Sequence, residues 1–180
     1  MRYVNEPTPG SLADEQPDAD PEQVARTILL RRLSAAPRTR KECRDDLIKR
    51  GVPEEAADRV LDRFVEVGLI DDSAYAQLWA QSRHRTRGSS RSVLRQELRA
   101  KGIADDVVVE ALEPIDDDAE ASRARLLVAK KLPTMSRFDD ATRERRLIAM
   151  LVRRGYPGHV ARSAVRDAIG ESSSEDFGLE

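Results

Sequence analysis

LRQELRAKGIADDVVVEAL, residues 94–112, decides the fold. Leu94 and Leu98 stand four apart, the spacing of one apolar helix stripe. Gly102 follows Lys101. A glycine just past a cation ends a helix, because glycine accepts the left-handed conformation and the cation faces the negative helix end. Asp105 and Asp106 then fall in the first turn of a second helix, where the dipole favours anions. Val107, Ala111, Leu112 and Ile115 continue that helix as a buried face. The stretch therefore predicts a helical hairpin.

The same pattern occurs twice more, as CRDDLIKRGVPEEAADRVL (Cys43 to Leu61) and LIAMLVRRGYPGHVARSAV (Leu147 to Val165). Three first-helix positions align: Cys43 with Leu94 and Leu147, Leu47 with Leu98 and Leu151, Gly51 with Gly102 and Gly155. The second helix keeps register through Ala56, Val107 and Val160, then Val60, Ala111 and Ala164, then Leu61, Leu112 and Val165. Arg50, Lys101 and Arg154 each precede the glycine. Three copies in one register predict a tandem repeat. Such a chain of 180 residues should form an extended array. It should be longer than a compact chain of this length, whose radius of gyration is about 16 Å.

Working outward, proline and glycine punctuate the rest of an all-α chain of about nine helices, in three tandem three-helix repeats. Residues 1–21 contain four prolines and little that is apolar, and are expected to be a disordered acidic tail. Repeat one is placed at 22–72. Its first helix, about Glu22 to Leu33, turns Val24, Ile28 and Leu29 inward, and Pro37 breaks it. Thr39 and Glu42 have capping-box spacing, and Pro53-Glu54-Glu55 opens the third helix. Repeat two, 73–118, begins beside Asp71-Asp72 and carries Tyr75, Leu78 and Trp79 on one side of its first helix. Gly88-Ser89-Ser90 turns into the central hairpin. Repeat three, 119–170, has Leu126, Leu127 and Leu132 as its first apolar positions and a longer loop at Pro133 to Phe138. Its last helix should end near Gly170, before a disordered acidic tail at 171–180.

Composition narrows the function. No apolar run reaches the roughly 20 residues that span a bilayer, and the N-terminus lacks a basic-then-apolar signal pattern. A single cysteine fits a reducing compartment, so a cytoplasmic monomer without membrane contact is expected. Cys43 shares its register position with two leucines and reads as a small buried apolar residue rather than a nucleophile. His84 and His159 form no metal or triad spacing. Asp71–Asp72 and Asp116–Asp118 lack calcium-loop spacing and read as helix N-caps. No phosphate-cradling glycine motif is present, so neither catalysis nor a cofactor is expected.

The positive signal is charge. The net −2 hides a segregation: residues 1–21 hold one Arg and five acids, and 171–180 hold four acids with no Lys or Arg. Within 83–101, Arg83, Arg85, Arg87, Arg91, Arg95, Arg99 and Lys101 face the single acid Glu97. Arg87, Arg91, Arg95 and Arg99 recur every four residues, which on one helix makes a stripe turned away from Leu94 and Leu98. Such a stripe suits phosphates or an acidic protein face. A second candidate cluster comprises Arg31, Arg32, Arg38, Arg40, Lys41 and Arg44. Aromatic residues make up only 4%, so any nucleic-acid contact should be to the backbone, weak and salt-sensitive.

Leu47 with Lys49-Arg50-Gly51, Gly68-Leu69-Ile70-Asp71-Asp72 with Tyr75-Ala76, Ser82-Arg83, Gly88, and Glu97-Leu98 with Lys101-Gly102-Ile103 form a spaced set of motifs. Together they resemble the RecX family of bacterial recombinase regulators. The resemblance covers about residues 22–170, with the third repeat matching more loosely. It implies a curved array of three-helix repeats that binds the RecA filament on single-stranded DNA. It further implies that the protein limits filament extension, strand exchange, ATP hydrolysis and coprotease stimulation, with no catalytic residue. Two other readings are a helical DNA-binding module that competes for DNA and a passive adaptor using the apolar concavity of its repeats.

Overall fold

The computed structural model describes residues 20–175, with side chains described as far as residue 170. Those residues form nine α-helices and no strand. Helices α1 (Pro21–Ala35), α2 (Arg40–Lys49) and α3 (Glu54–Glu66) make the first repeat. Helices α4 (Asp72–Arg87), α5 (Arg91–Ala100) and α6 (Asp105–Leu112) make the second. The third contains α7 (Asp117–Lys131), a 3-10 turn at Leu132–Met135, α8 (Asp140–Arg153) and α9 (Gly158–Glu175). The chain divides into two compact units, the first ending at Ile70 and the second beginning at Asp71. The second unit therefore contains repeats two and three.

Each repeat is built on its last helix. Helices α1 and α2 pack on α3, α4 and α5 on α6, and α7 and α8 on α9. Each repeat has its own apolar cluster. The aligned positions occupy equivalent places: Leu47, Leu98 and Leu151 are fully buried, and Cys43, at 2% exposure, takes the place of Leu94 and Leu147. Burial of one such leucine is worth about 1.5–3 kcal/mol. On the last helices the deepest line is one residue further on than expected, at Ala57, Val108 and Ala161. Val107 and Val160 are half-buried beside it.

The three registered glycines close α2, α5 and α8 in one geometry. Their φ angles are 81°, 81° and 84°. In each copy the glycine N–H donates to the carbonyl three residues back, one position short of the helix end: Gly51 to Ile48, Gly102 to Arg99, Gly155 to Val152. The next residue's N–H reaches one carbonyl further back: Val52 to Leu47, Ile103 to Leu98, Tyr156 to Leu151. This is the paired-bond helix ending that a left-handed glycine permits. It also turns Val52, Ile103 and Tyr156 into the cores, at 6%, 4% and 2% exposure.

Polar starts behave as expected. Thr39 and Glu42 form a reciprocal capping box. The Asp71 and Asp116 carboxylates accept the N–H groups of Ala74 and Ala119 at 2.8 and 2.7 Å. Asp139 caps α8, and the Thr142 N–H holds its carboxyl below the usual range.

Four expectations need correction. Val24, Leu78 and Leu126 are exposed, because the small residues Ala25, Ala76, Ala80 and Ala124 carry the close helix contacts instead. Helix α4 ends at Arg87 and α5 starts at Arg91, with Gly88 at φ 64° between them, so the four-spaced arginines do not lie on one helix. The loop at 133–138 begins as a 3-10 turn that buries Met135. Helix α9 continues to Glu175, past the expected end near Gly170. Residues 1–19 and 176–180, which hold most of the two acidic tails, lie outside the described residues.

Within the second unit, repeat three clamps the α4–α5 turn. The Ser90 N–H donates to the Arg154 carbonyl at 3.3 Å, and the Arg91 N–H donates to Glu120 at 2.8 Å. The guanidinium groups of Arg123 and Arg154 donate to the carbonyls of Arg85 and Arg87. Cations at these carbonyls complement the negative end of α4. Gly155 sits so close that an added Cβ would meet Ser90 Oγ and Val93 Cγ2 at 2.5 Å.

Candidate functional site

The seven cations of residues 83–101 are not equivalent. Arg83 lies over the Trp79 ring at 4.0 Å, and Lys101 over the same ring at 4.3 Å and over Tyr75 at 5.3 Å. Tyr75 and Trp79 stack at 5.7 Å, and the Trp79 indole N–H donates to Glu97 at 2.8 Å. The one local acid is therefore committed to the indole. Arg91 pairs with Asp117 at 3.0 Å, and Arg99 pairs with Asp105 at 2.6 Å. Arg85, Arg87 and Arg95 make no ion pair among the described residues. Arg91 also borders a cleft walled by Asp106, Glu110, Asp116 and Asp118. The N-terminal end of α5 is thus far less positive than its sequence.

The second candidate cluster, in the first unit, is compensated by acids of the same unit. Arg32 makes two hydrogen bonds to Asp46, both at 2.7 Å. This carboxylate raises the Arg32 pKa, and the guanidinium holds Asp46 below the usual carboxylate range. Arg40 reaches Asp62 at 2.6 Å, and Lys41 reaches Asp45 at 2.6 Å. Arg44 bridges Asp58 at 3.0 Å and Glu54 at 3.1 Å. Arg31 is exposed, and the Arg38 Nε is buried without a hydrogen-bond partner.

Sequence reasoning missed a third group. A cleft of about 820 Å³ opens between the α4–α5 turn and helices α7 and α8. Arg87, Arg123, Lys130, Lys131, Arg153 and Arg154 line it, and no acid does. An adjoining hollow of about 430 Å³ adds Arg145 and Arg146. One signal was available: Arg153-Arg154-Gly155 is the registered partner of Arg50-Gly51 and Lys101-Gly102. What the sequence does not reveal is that α7 brings Lys130 and Lys131 beside them. Among the described residues, no group of His, Cys, Asp or Glu is arranged to hold a metal ion. No described helix is long and apolar enough to cross a membrane.

Comparison with known proteins agrees with the repeat architecture. The chain matches the family models for the first, second and third three-helix domains of RecX at residues 25–64, 71–112 and 118–165. It is 45% identical over 169 residues to Regulatory protein RecX of Streptomyces lividans, covering 93% of this chain and 90% of that one. It is 49% identical over 155 residues to Regulatory protein RecX of Mycobacterium ulcerans, covering 86% and 88%. The crystal structure of RecX from Lactobacillus salivarius superposes with a TM-score of 0.75 at 22% identity, covering 83% of this chain and 97% of that one. Three repeats with one helix-ending geometry, each matched by its own domain of the family, place this chain in the RecX family.

Proposed function

We propose that this protein is a non-enzymatic regulator that binds the RecA recombinase filament on single-stranded DNA and restrains its extension. Strand exchange, ATP hydrolysis and coprotease activity fall with it. The family supports this reading, since its relatives are named regulatory proteins. The observation that carries the choice of surface is the uneven compensation of charge. In the second unit Arg85, Arg87 and Arg95 stay without an ion pair among the described residues, whereas Arg32, Arg40, Lys41 and Arg44 of the first unit are paired. A paired arginine must break one contact to make another, and an unpaired one offers its full charge to a phosphate or carboxylate. We assign the partner-facing role to Arg85, Arg87 and Arg95, with Arg91, Arg99 and Lys101 at the margin. The protein acts as a cytoplasmic monomer without a cofactor in this reading.

The alternative is a helical module that acts by competing for bare DNA. Its support is the same positive face; against it stand the few aromatic side chains for stacking bases. Filament extension on single-stranded DNA, measured with and without this protein, tests the proposal. Inhibition at protein concentrations far below those that bind free DNA supports filament recognition. Inhibition that only tracks occupancy of free DNA favours competition. No inhibition at any concentration rejects both.

A further inference from the structure

We propose that the cleft between the α4–α5 turn and helices α7 and α8 docks an acidic segment of a protein partner, one that carries an apolar anchor side chain. The cleft combines two chemistries. Val93, Leu127 and Met150 line it as half-buried apolar side chains, and Leu127 and Met150 pack against the core of repeat three. Arg87, Lys130, Lys131 and Arg153 line it as exposed cations that make no ion pair among the described residues. Arg123 and Arg154 are already committed to the carbonyls at the end of α4, so they hold the wall rather than reach for a ligand.

Charge complementarity calls for an anion, and the apolar lining selects which kind. A phosphodiester chain would satisfy the cations and leave Val93, Leu127 and Met150 uncovered. Unstacked bases would want aromatic platforms, and no aromatic side chain lines the cleft. An acidic peptide with a leucine or phenylalanine satisfies both at once, placing carboxylates on the cations and its anchor on the apolar side chains. Methionine suits such a surface because its flexible thioether adapts to different anchors. The cleft, at about 820 Å³, is large enough for several residues. This inference does not depend on the α5 face meeting a filament.

Fluorescence anisotropy with the full chain tests it. The probes are a labelled decapeptide of glutamates around two leucines, the same peptide with Leu→Ala, the same with Glu→Gln, and an oligothymidylate. The leucine–glutamate peptide should bind saturably. The alanine peptide should bind on the order of tenfold more weakly, since one buried anchor is worth at least that factor. The glutamine peptide should also bind more weakly, since it loses its charge-assisted contacts with the cations. The Met150 methyl resonance should shift with the first peptide. The combined variant Lys130→Glu, Lys131→Glu, Arg153→Glu should lose the peptide with unchanged melting. Lys130→Gln with Lys131→Gln, a milder change at exposed positions, should weaken it in the same direction. Equal binding of the alanine peptide overturns the proposal. So does oligothymidylate binding that exceeds peptide binding and disappears in the same triple variant, which would make the cleft a phosphate track. Arg95→Glu with Arg99→Glu should retain the peptide, so failure of the filament reading and failure of this one are separately visible.

Discussion

The two arginine-rich regions look alike as sequence and differ as structure. Residues 31–44 hold six cations, and residues 83–101 hold seven. In the first region Arg32, Arg40, Lys41 and Arg44 end in ion pairs with Asp46, Asp62, Asp45, Asp58 and Glu54. Those acids lie on α2 and α3, so each pair ties neighbouring helices or turns of one repeat together. In the second region Arg91 is tied this way by Asp117 and Arg99 by Asp105, at the two ends of α5. The middle of α5 and the end of α4 stay positive, and α7 and α8 add further cations at the cleft. The same residue type is structural mortar in one unit and an open surface in the other. What separates them is the placement of acids, not the count of arginines.

Reversing charge in each region should break or confirm this difference, and the largest effect is expected there. Arg85→Glu, Arg87→Glu and Arg95→Glu together should abolish inhibition of filament extension with little change in melting. If the lost contacts are to DNA phosphates, the salt slope of binding should fall by about 0.7 for each. The matched set Arg32→Glu, Arg40→Glu and Arg44→Glu should do the opposite, lowering the melting temperature by placing like charges together while inhibition per folded molecule persists. Equal loss of inhibition in both sets would erase the distinction.

Core substitutions sharpen the comparison on the stability side. Leu151→Ala should destabilise the second unit by about 2–5 kcal/mol, read by Trp79 fluorescence, because Trp79 is the one tryptophan and lies in that unit. Cys43→Ser should destabilise the first unit by about 1–3 kcal/mol, since a hydroxyl replaces a thiol among apolar groups. Cys43→Ala should be milder. Fast thiol labelling of the folded wild-type protein, with a serine variant of unchanged melting, would contradict the buried position. Glu120→Ala should cost about 1–3 kcal/mol by leaving the Arg91 N–H without its acceptor. It should also loosen the α4–α5 turn, seen as faster hydrogen exchange there.

The smallest effects separate the units by pH. Burial first, and then the charge of Glu120, push the Tyr156 hydroxyl from 10.0 up to about 12. A raised folded pKa means its contribution is complete below pH 10 and is lost as pH rises through about 12. Alkaline unfolding should therefore begin in the second unit, with one tyrosine ionising late in an ultraviolet titration. Asp45 and Asp46 are held below the usual range, by Lys41 and by Arg32 respectively. A depressed folded pKa means their contribution is present above the ordinary carboxylate range and lost as pH falls through the lowered value. Acid should then loosen α2 against α1, read by hydrogen-exchange mass spectrometry. Protection in α2 that stays unchanged down to full protonation would remove the ion pairs from the stability of the first unit.

The sequence by itself determined the repeat. Helix periodicity, a cation-glycine stop and acidic first turns act within a few residues, so three copies in one register specified six of the nine helices and their cores, and proline, glycine and capping signals marked out the first helix of each repeat. The buried place of Cys43 and the capping roles of Asp71 and Asp116 were legible for the same reason. Val24, Leu78 and Leu126 differ from expectation only in the helix face they occupy, because the neighbouring alanines Ala25, Ala76, Ala80 and Ala124 take the close contacts. Tertiary structure alone decided the electrostatics. Most of the acids that quench Arg32, Arg40, Arg44 and Arg91 lie 14 to 26 positions away in the chain. The cleft is assembled from α4, α5, α7 and α8. Ion pairing depends on a separation of about 3–4 Å in space, which a count of charges along a window of sequence does not measure. Helix formation is a property of neighbours in the chain, and a charged surface is a property of neighbours in space.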